Sequence, residues 1–360
     1  MSPSLSLCLL LLAQPAEDAG TRLEAATVES AATPDAGPPV AVAPVPALVS
    51  FDVANTPWGP GRKSSGELFR SAALALPEAP LRWSWNGFSL ALGGQYLARG
   101  EVRDNVDFST ATQDQALGIE HRARVSLRAS AKDRVGVLIE LQDVRGWGSE
   151  PNTVTTTPNT GLHQGFVDVH AADWLDVRVG RQELSYGEDR LIGSLDWAMS
   201  ARAFDGVFVR LTPSSAVTVD AFGMMLKPPA WLTDANGLRF HNSGSYFAGL
   251  VTRVRAGKAG VDVSALGLFE DPATATTGLG KDNNRVTLGA RGFFNVASLA
   301  VVGEGAFQTG KVGPREDLLV AGAFAAKATW TFSGVWGSPY VLAEFSMASP
   351  TFSQLFPTGH

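Results

Sequence analysis

The sequence predicts an all-β protein, an antiparallel up-and-down transmembrane β-barrel. Three observations predict it. Apolar and polar residues alternate with period two in stretches that recur from about Leu81 to the C-terminus. No apolar run approaches the ~18 residues that a spanning helix requires. Seven tryptophans (Trp83, Trp85, Trp147, Trp174, Trp197, Trp330 and Trp336) fall near the ends of alternating stretches, where a membrane barrel carries its aromatic girdles.

Composition bounds the class. Of 360 residues, 45% are hydrophobic and 18% charged, which excludes disorder throughout. The 38 glycines and 19 phenylalanines suit many strands joined by tight turns. A net charge of −6 argues against a nucleic-acid partner, yet leaves room for a basic lumen inside an acidic protein. The one cysteine, Cys8, lies in the N-terminal apolar stretch, so residues 17–360 hold neither a disulfide framework nor a cysteine-based metal site.

Residues 1–16 read as a signal peptide, with a leucine-rich run far too short to span a bilayer. No Lys or Arg precedes that run and no good cleavage site follows it, so a true start upstream is one reading. Leu5 to Cys8 is similar to a lipobox, but Leu7 is too large before the cysteine. Residues 17–50, rich in Ala, Pro and Val, read as a flexible linker. Residues 51–80 read as a periplasmic or plug segment.

Residues 81–360 carry the strands, about thirteen by pattern. In 119–127 the apolar Ile119, Ala123, Val125 and Leu127 alternate with Glu120, Arg122, Arg124 and Ser126, followed by Arg128. Val135, Val137, Ile139 and Leu141 alternate with Arg134, Gly136, Glu140 and Gln142, and Leu138 is out of phase. Leu175, Val177 and Val179 alternate with Asp176 and Arg178; Val207, Val209 and Leu211 with Phe208 and Arg210; Val217 and Val219 with Thr218, Asp220 and Phe222. Further strands are expected near 86–101, 162–171, 243–255, 259–270, 284–295, 298–309, 318–332 and 338–348. Successive strand side chains point to opposite faces, so Val135, Val137, Ile139, Val177 and Val179 are expected to face lipid and the charged phase a lumen. A soluble β-sandwich also alternates. Long Arg and Glu side chains across one face, and so many strands near ten residues, count against it.

Enzyme readings are weak. The chain has no H-E-x-x-H and no G-x-S-x-G. Its five histidines show no ligand spacing, although His163 and His170 share one strand. Residues 305–311 nearly match a phosphate-binding loop, but Val312 stands where Ser or Thr should bind magnesium and Pro314 opposes the helix that must follow. They read as a strand entering a turn. No cofactor or metal is expected, and only a serine–histidine pair formed in space would give a hydrolase.

The strings LQDVRGWG (141–148), LHQGFVD (162–168), GRQELSYGEDRLIGSLDW (180–197) and AFDGV (203–207) stand in order at close spacing. Together with FSQLFPTGH (352–360), they resemble the alginate-export family of outer-membrane β-barrels over about residues 81–360. The resemblance implies an 18-stranded barrel in a Gram-negative outer membrane that passes an anionic polysaccharide through an arginine-bearing lumen. On the matching strings it carries over Arg145, Arg181, Arg190 and Arg202. The alternation itself assigns Arg122, Arg124, Arg128, Arg178 and Arg210 to the lumen, interleaved with Glu120, Glu140, Asp168, Asp176 and Asp205. AEFSMASP (343–350) departs from the acidic, glycine-bearing segment expected there. Expected partners are anionic polysaccharide or another polar solute, outer-membrane lipid and periplasmic export proteins. A general porin and a non-conducting barrel remain open on the same scaffold. With thirteen strands against 18, the chain is expected to be C-terminally truncated and its sheet to have two unpaired edges.

Overall fold

The structure is a computed structural model that describes residues 81–357, apart from 104–115, 133, 148–159, 196–197, 230, 234–238, 242–243, 271–282, 313–316 and 333–338. The expected signal peptide, linker and plug segment, and Trp197 and Trp336, lie outside the described residues.

The described strands are β1 (Leu81–Trp85), β2 (Phe88–Arg103), β3 (Ala116–Ala131), β4 (Val135–Trp147), β5 (Thr160–Ala172), β6 (Leu175–Gln182), β7 (Phe204–Ser214), β8 (Val217–Lys227), β9 (Trp231–Thr233), β10 (Arg239–His241), β11 (Ser245–Ala256), β12 (Ala259–Glu270), β13 (Asn283–Val296), β14 (Leu299–Val312), β15 (Asp317–Thr331) and β16 (Tyr340–Ala348). Fourteen form one antiparallel sheet in which each strand pairs with the next, β8 pairing with β11. The small hairpin β9–β10 stands apart in the β8–β11 connection. Each expected strand is present. β1 and the β9–β10 hairpin are additional, each too short for a period to register. The near-match to a phosphate-binding loop at 305–311 is ordinary strand within β14.

Local chemistry explains the hairpins. Asn86 and Gly87 join β1 to β2 with φ of 45° and 77°, the left-handed pair that a two-residue hairpin turn demands. Short turns also join β3–β4, β5–β6, β7–β8, β11–β12 and β13–β14, all at one end of the sheet, here the turn end. The longer connections β2–β3, β4–β5, β6–β7, β8–β11 and β12–β13 lie at the other, the loop end.

The two alternation phases separate as expected. Val135, Val137, Ile139 and Val179 are exposed and Val177 is half-buried on the same phase. Arg122, Arg124, Arg128, Arg178 and Arg210 are buried on the other. A sheet whose apolar face is bare and whose ionic face is covered is inverted relative to a soluble sandwich, and lipid is the solvent that stabilises it. The girdle residues fit: Trp85, Trp174 and Trp330 are exposed at the turn end and Trp147 at the loop end.

The ionic face is concave. The β6–β7 connection, residues 183–203, leaves the loop end and folds across it, bonding to strands as far apart as β3 and β16. β1 and β16 are the edges of the sheet, and no pairing joins them among the described residues. All nine residues of β16 are exposed.

Candidate functional site

The concave face has two bands. Toward the turn end it is ionic. Arg210 of β7 meets Asp220 of β8 through two bonds, Nε to Oδ1 at 2.7 Å and Nη2 to Oδ2 at 2.9 Å. Arg253 of β11 donates to the same Oδ2 at 2.8 Å, and the Tyr186 hydroxyl at 3.3 Å. Two strands away, Arg128 donates to both oxygens of Asp168 at 3.1 and 3.0 Å. Arg178 lies 3.5 Å from Asp168 and 3.9 Å above the Phe166 ring. Asp176 faces His170 at 2.6 Å. These carboxylates hold guanidinium groups in fixed orientations in a region of low dielectric.

Toward the loop end the same face is apolar and covered. Phe204, Phe208, Phe222, Met224, Phe247, Val251, Leu266 and Leu268 form one buried cluster with Leu184, Leu191 and Ile192 of the infolded segment. This explains why Phe208 and Phe222 sit on the charged phase of their strands: they lie beneath that segment. Leu138, out of phase in the sequence, is likewise buried on the concave face opposite Phe166.

The segment is fixed along its length. At its start, Glu183 lies 2.7 Å from His163 Nε2 and 3.8 Å from Arg124, which also lies 4.0 Å from Glu140 and donates to Gln142 at 2.7 Å. Glu188 accepts from Arg291 of β13 at 3.1 Å and pairs with Lys327 of β15. Burial pushes its carboxyl up, but those two cations outweigh burial and hold it below the usual glutamate range. Burial and the Asp220 carboxylate raise the Tyr186 phenol well above its ordinary value. Arg190 reaches Glu344 of β16 at 2.5 Å. On the return limb, Arg122 donates to the Ala198 carbonyl at 3.2 Å and Gln142 to the Ser200 carbonyl at 2.9 Å. Gly180, just before the segment, has φ of +130°, and a Cβ there would lie 2.3 Å from the Gly165 carbonyl oxygen, so only glycine fits.

A second stretch completes the cover. After β16, residues 349–357 run back over the segment. Phe356 and Ile192 form a parallel bridge, with Gly193 N–H donating to the Phe356 carbonyl at 2.8 Å and Phe356 N–H to the Leu191 carbonyl at 2.9 Å. The Phe356 ring stacks edge-on against Phe204 and Phe247, at 5.2 and 4.8 Å.

Eleven of the fourteen residues expected to line a lumen lie on the concave face or in the segment that covers it: Glu120, Arg122, Arg124, Arg128, Glu140, Asp168, Asp176, Arg178, Arg190, Arg202 and Arg210. Glu120 pairs with Arg99 at 2.5 Å. Three do not share this placement. Arg145 stands on the opposite phase of β4, register-paired with His121, and bonds Asp143 at 3.0–3.2 Å beside Trp147. Arg181 and Asp205 are register partners on the phase of Val179 and Val207, 3.8 Å apart at the loop-end rim. The period of two forces this, because odd-numbered residues of β6 and β7 point away from Arg178 and Arg210. Sequence reasoning missed Arg253, Arg255, Asp262, Arg291 and Lys327, which lie on the concave face of β11–β15. The signal was present: Arg253 and Arg255 alternate with Thr252 and Val254. Among the described residues, no cluster of His, Cys, Asp and Glu could hold a metal ion.

The family model described as alginate export matches residues 88–355. No curated protein matches the chain by sequence. Among solved structures, the chain is similar to OmpF of Salmonella typhi, in complex with daunomycin, at 10% identity and a TM-score of 0.44, covering 70% of this chain and 77% of that one. It is similar to OccK11 (OpdR) of Pseudomonas aeruginosa at 11% identity and a TM-score of 0.42, covering 72% and 63%. OmpT of Vibrio cholerae has 11% identity and a TM-score of 0.36, covering 73% and 89%. With the family model spanning β2 to the Phe356 stretch, the chain belongs to the alginate-export family of outer-membrane β-barrel proteins.

Proposed function

We propose that this protein is an outer-membrane channel through which an anionic polysaccharide leaves the cell passively, guided by the arginines of its concave face. The observation that carries this reading is the row Arg124, Arg128, Arg178, Arg210 and Arg253, buried on β3, β6, β7 and β11 and each held by a neighbouring carboxylate or amide. A polyuronate carries one carboxylate per sugar, and moving it past a low-dielectric wall requires compensating cations that stay charged. The acids beside the arginines reduce the net attraction, so the polymer can also leave. On this reading residues 1–16 direct secretion, residues 17–80 face the periplasm, and export partners there deliver the polymer.

A general small-solute porin is the second reading, favoured by the near match of acids to arginines around Asp168, Asp220 and Asp262. Planar-bilayer recordings decide between the two. The export reading expects anion selectivity at low salt, where surface fields are least screened, and current block by oligouronates but not by neutral oligosaccharides of equal length. Cation selectivity, or equal block by both, overturns it.

A further inference from the structure

We infer that the outward wall of the sheet, at its loop end, carries a site for the sugar headgroup of an outer-leaflet glycolipid, built by Tyr96, His121, Asp143, Arg145, Trp147 and Thr160. It rests on the outer-membrane placement of the barrel and not on what passes through it.

These residues share the phase of β2–β5 that faces away from the concave side. The Arg145 guanidinium donates to Asp143, Nε to the two oxygens at 3.2 and 3.0 Å and Nη2 to Oδ1 at 3.0 Å. The Thr160 hydroxyl donates to the same Oδ1 at 2.5 Å. Register holds the group together: Asp143 faces Thr160 across β4 and β5, and Arg145 faces His121 across β4 and β3. The His121 ring meets Tyr96 of one neighbouring strand at 5.6 Å and Trp147 of the other at 5.5 Å, tilted by 53° and 52°. Tyr96 and Trp147 are 64% and 56% exposed, so each offers a ring face. His121 Nδ1 is shielded from water and has no hydrogen-bonding partner among the described residues.

An ion pair is out of place on this wall. Ionisable groups facing lipid are costly and mark sites. Trp147 belongs to the girdle, and Asp143 lies four residues inward of it, ~13 Å along the strand at ~3.4 Å per residue. The outward positions that follow, Leu141, Ile139 and Val137, are all apolar. The loop-end outward positions of β11, β12 and β13 hold Tyr246, Phe269 and Val286, none of them charged at neutral pH. The polar cluster is therefore local to β2–β5.

Its position selects the ligand. In bacterial barrels the longer connections are extracellular, which puts the loop end in the outer leaflet. The lipids of that leaflet are acylated sugars. Toward the turn end, exposed Val125, Leu127, Ile139, Leu141 and Leu162 extend the site as an apolar surface. A glycolipid seated here lays its acyl chains on that surface and its headgroup on the cluster. The Tyr96 and Trp147 faces cover the C–H face of a sugar ring, while Asp143, Arg145 and His121 offer acceptors and donors to its hydroxyls. A glycerophospholipid has no ring to stack there.

Native mass spectrometry of the full chain released from detergent micelles tests this, with lipid A and phosphatidylglycerol as probes. Both are anionic, and only lipid A carries sugar. Lipid A should bind about ten-fold more tightly, the difference expected from one charge-assisted hydrogen bond. Arg145→Gln and the double variant Tyr96→Leu/Trp147→Leu should each remove most of that preference. The double variant keeps the wall apolar, so it preserves the test if Arg145→Gln misfolds. Trp330→Leu, at the turn end, should leave the preference intact. Equal binding of the two lipids, binding of neither, an unchanged preference in the double variant, or an equal loss in Trp330→Leu overturns the inference. So does a wild-type dimer that Arg145→Gln dissolves, which would assign the cluster to a second copy of the chain. Ion selectivity in bilayers should be the same in all these variants, so the conduit stands or falls separately.

Discussion

Asp220 and Arg210 face each other in register on β8 and β7, joined by two hydrogen bonds of 2.7 and 2.9 Å, and Asp220 has no solvent-exposed surface. The same carboxylate also takes Arg253 and Tyr186, so one acid ties two buried cations together and orders the base of the infolded segment.

Asp220→Asn should therefore be among the most damaging conservative changes in the barrel. It keeps the shape and removes the charge that Arg210 and Arg253 both bond, at about 3–5 kcal/mol. Asp205→Asn is the matched control, because its partner Arg181 is 3.8 Å away and both are well exposed; it should cost about 0–1 kcal/mol. Urea unfolding followed by the loss of heat-modifiable gel mobility measures both. Equal costs would mean that the ionic band does not stabilise the fold.

Outward orientation gives a depth-dependent expectation. Leu288 lies mid-strand on the exposed phase of β13, and Val296 ends the same strand beside the turn. Arginine in place of Leu288 should destabilise by roughly 2–4 kcal/mol, and in place of Val296 by about 0–1 kcal/mol, because the side chain reaches the interface there. Unfolding in lipid vesicles reads the difference. The opposite order would place the membrane at another height on the sheet.

Glu188 makes the cover pH-sensitive. Its carboxyl is held below the ordinary value of 4.5 by Lys327 and Arg291. A carboxylate with a depressed folded value contributes stability that is fully present above its unfolded value and is lost as pH falls through the folded one. Above about pH 5 the segment should resist proteolysis, and below about pH 4.5 cleavage within 183–203 should rise. In Glu188→Gln that rise should vanish and cleavage be high at every pH. A wild-type profile flat through this window would show that the three-way contact does not hold the segment.

Much of this was legible in the sequence, because a period of two is a local signal. It places Arg122, Arg124 and Arg128 together on β3 whatever else the chain does. Arg145 and Arg181 fall on the outward phase because a motif match carries no phase: both belong to the family-like strings, yet stand one residue out of step with the concave face. The infolded segment was illegible for another reason. Its contacts join residues more than a hundred positions apart, such as Glu188 to Arg291 and Lys327, and no pattern within a strand reports them. The one local trace was aromatic residues on a charged phase, Phe208 and Phe222, which mark where the concave face is dry.

Phe356 is the residue through which the two covering stretches should act as one. Its backbone bridges Ile192, and its ring fills the gap between Phe204 and Phe247. Phe356→Ala keeps the backbone bonds and removes the ring, so it should loosen residues 349–357 directly and residues 183–203 through the lost aromatic packing, at about 3 kcal/mol or somewhat less because the side chain is only partly buried. Hydrogen exchange should then quicken at Leu191, Ile192 and Gly193 as well as at Phe352 and Leu355, while β3 and β4 stay protected. Phe356→Leu, which refills much of the space, should restore most of the protection. Faster exchange confined to residues 349–357 would show that the two stretches merely touch and that the infolded segment holds itself in place.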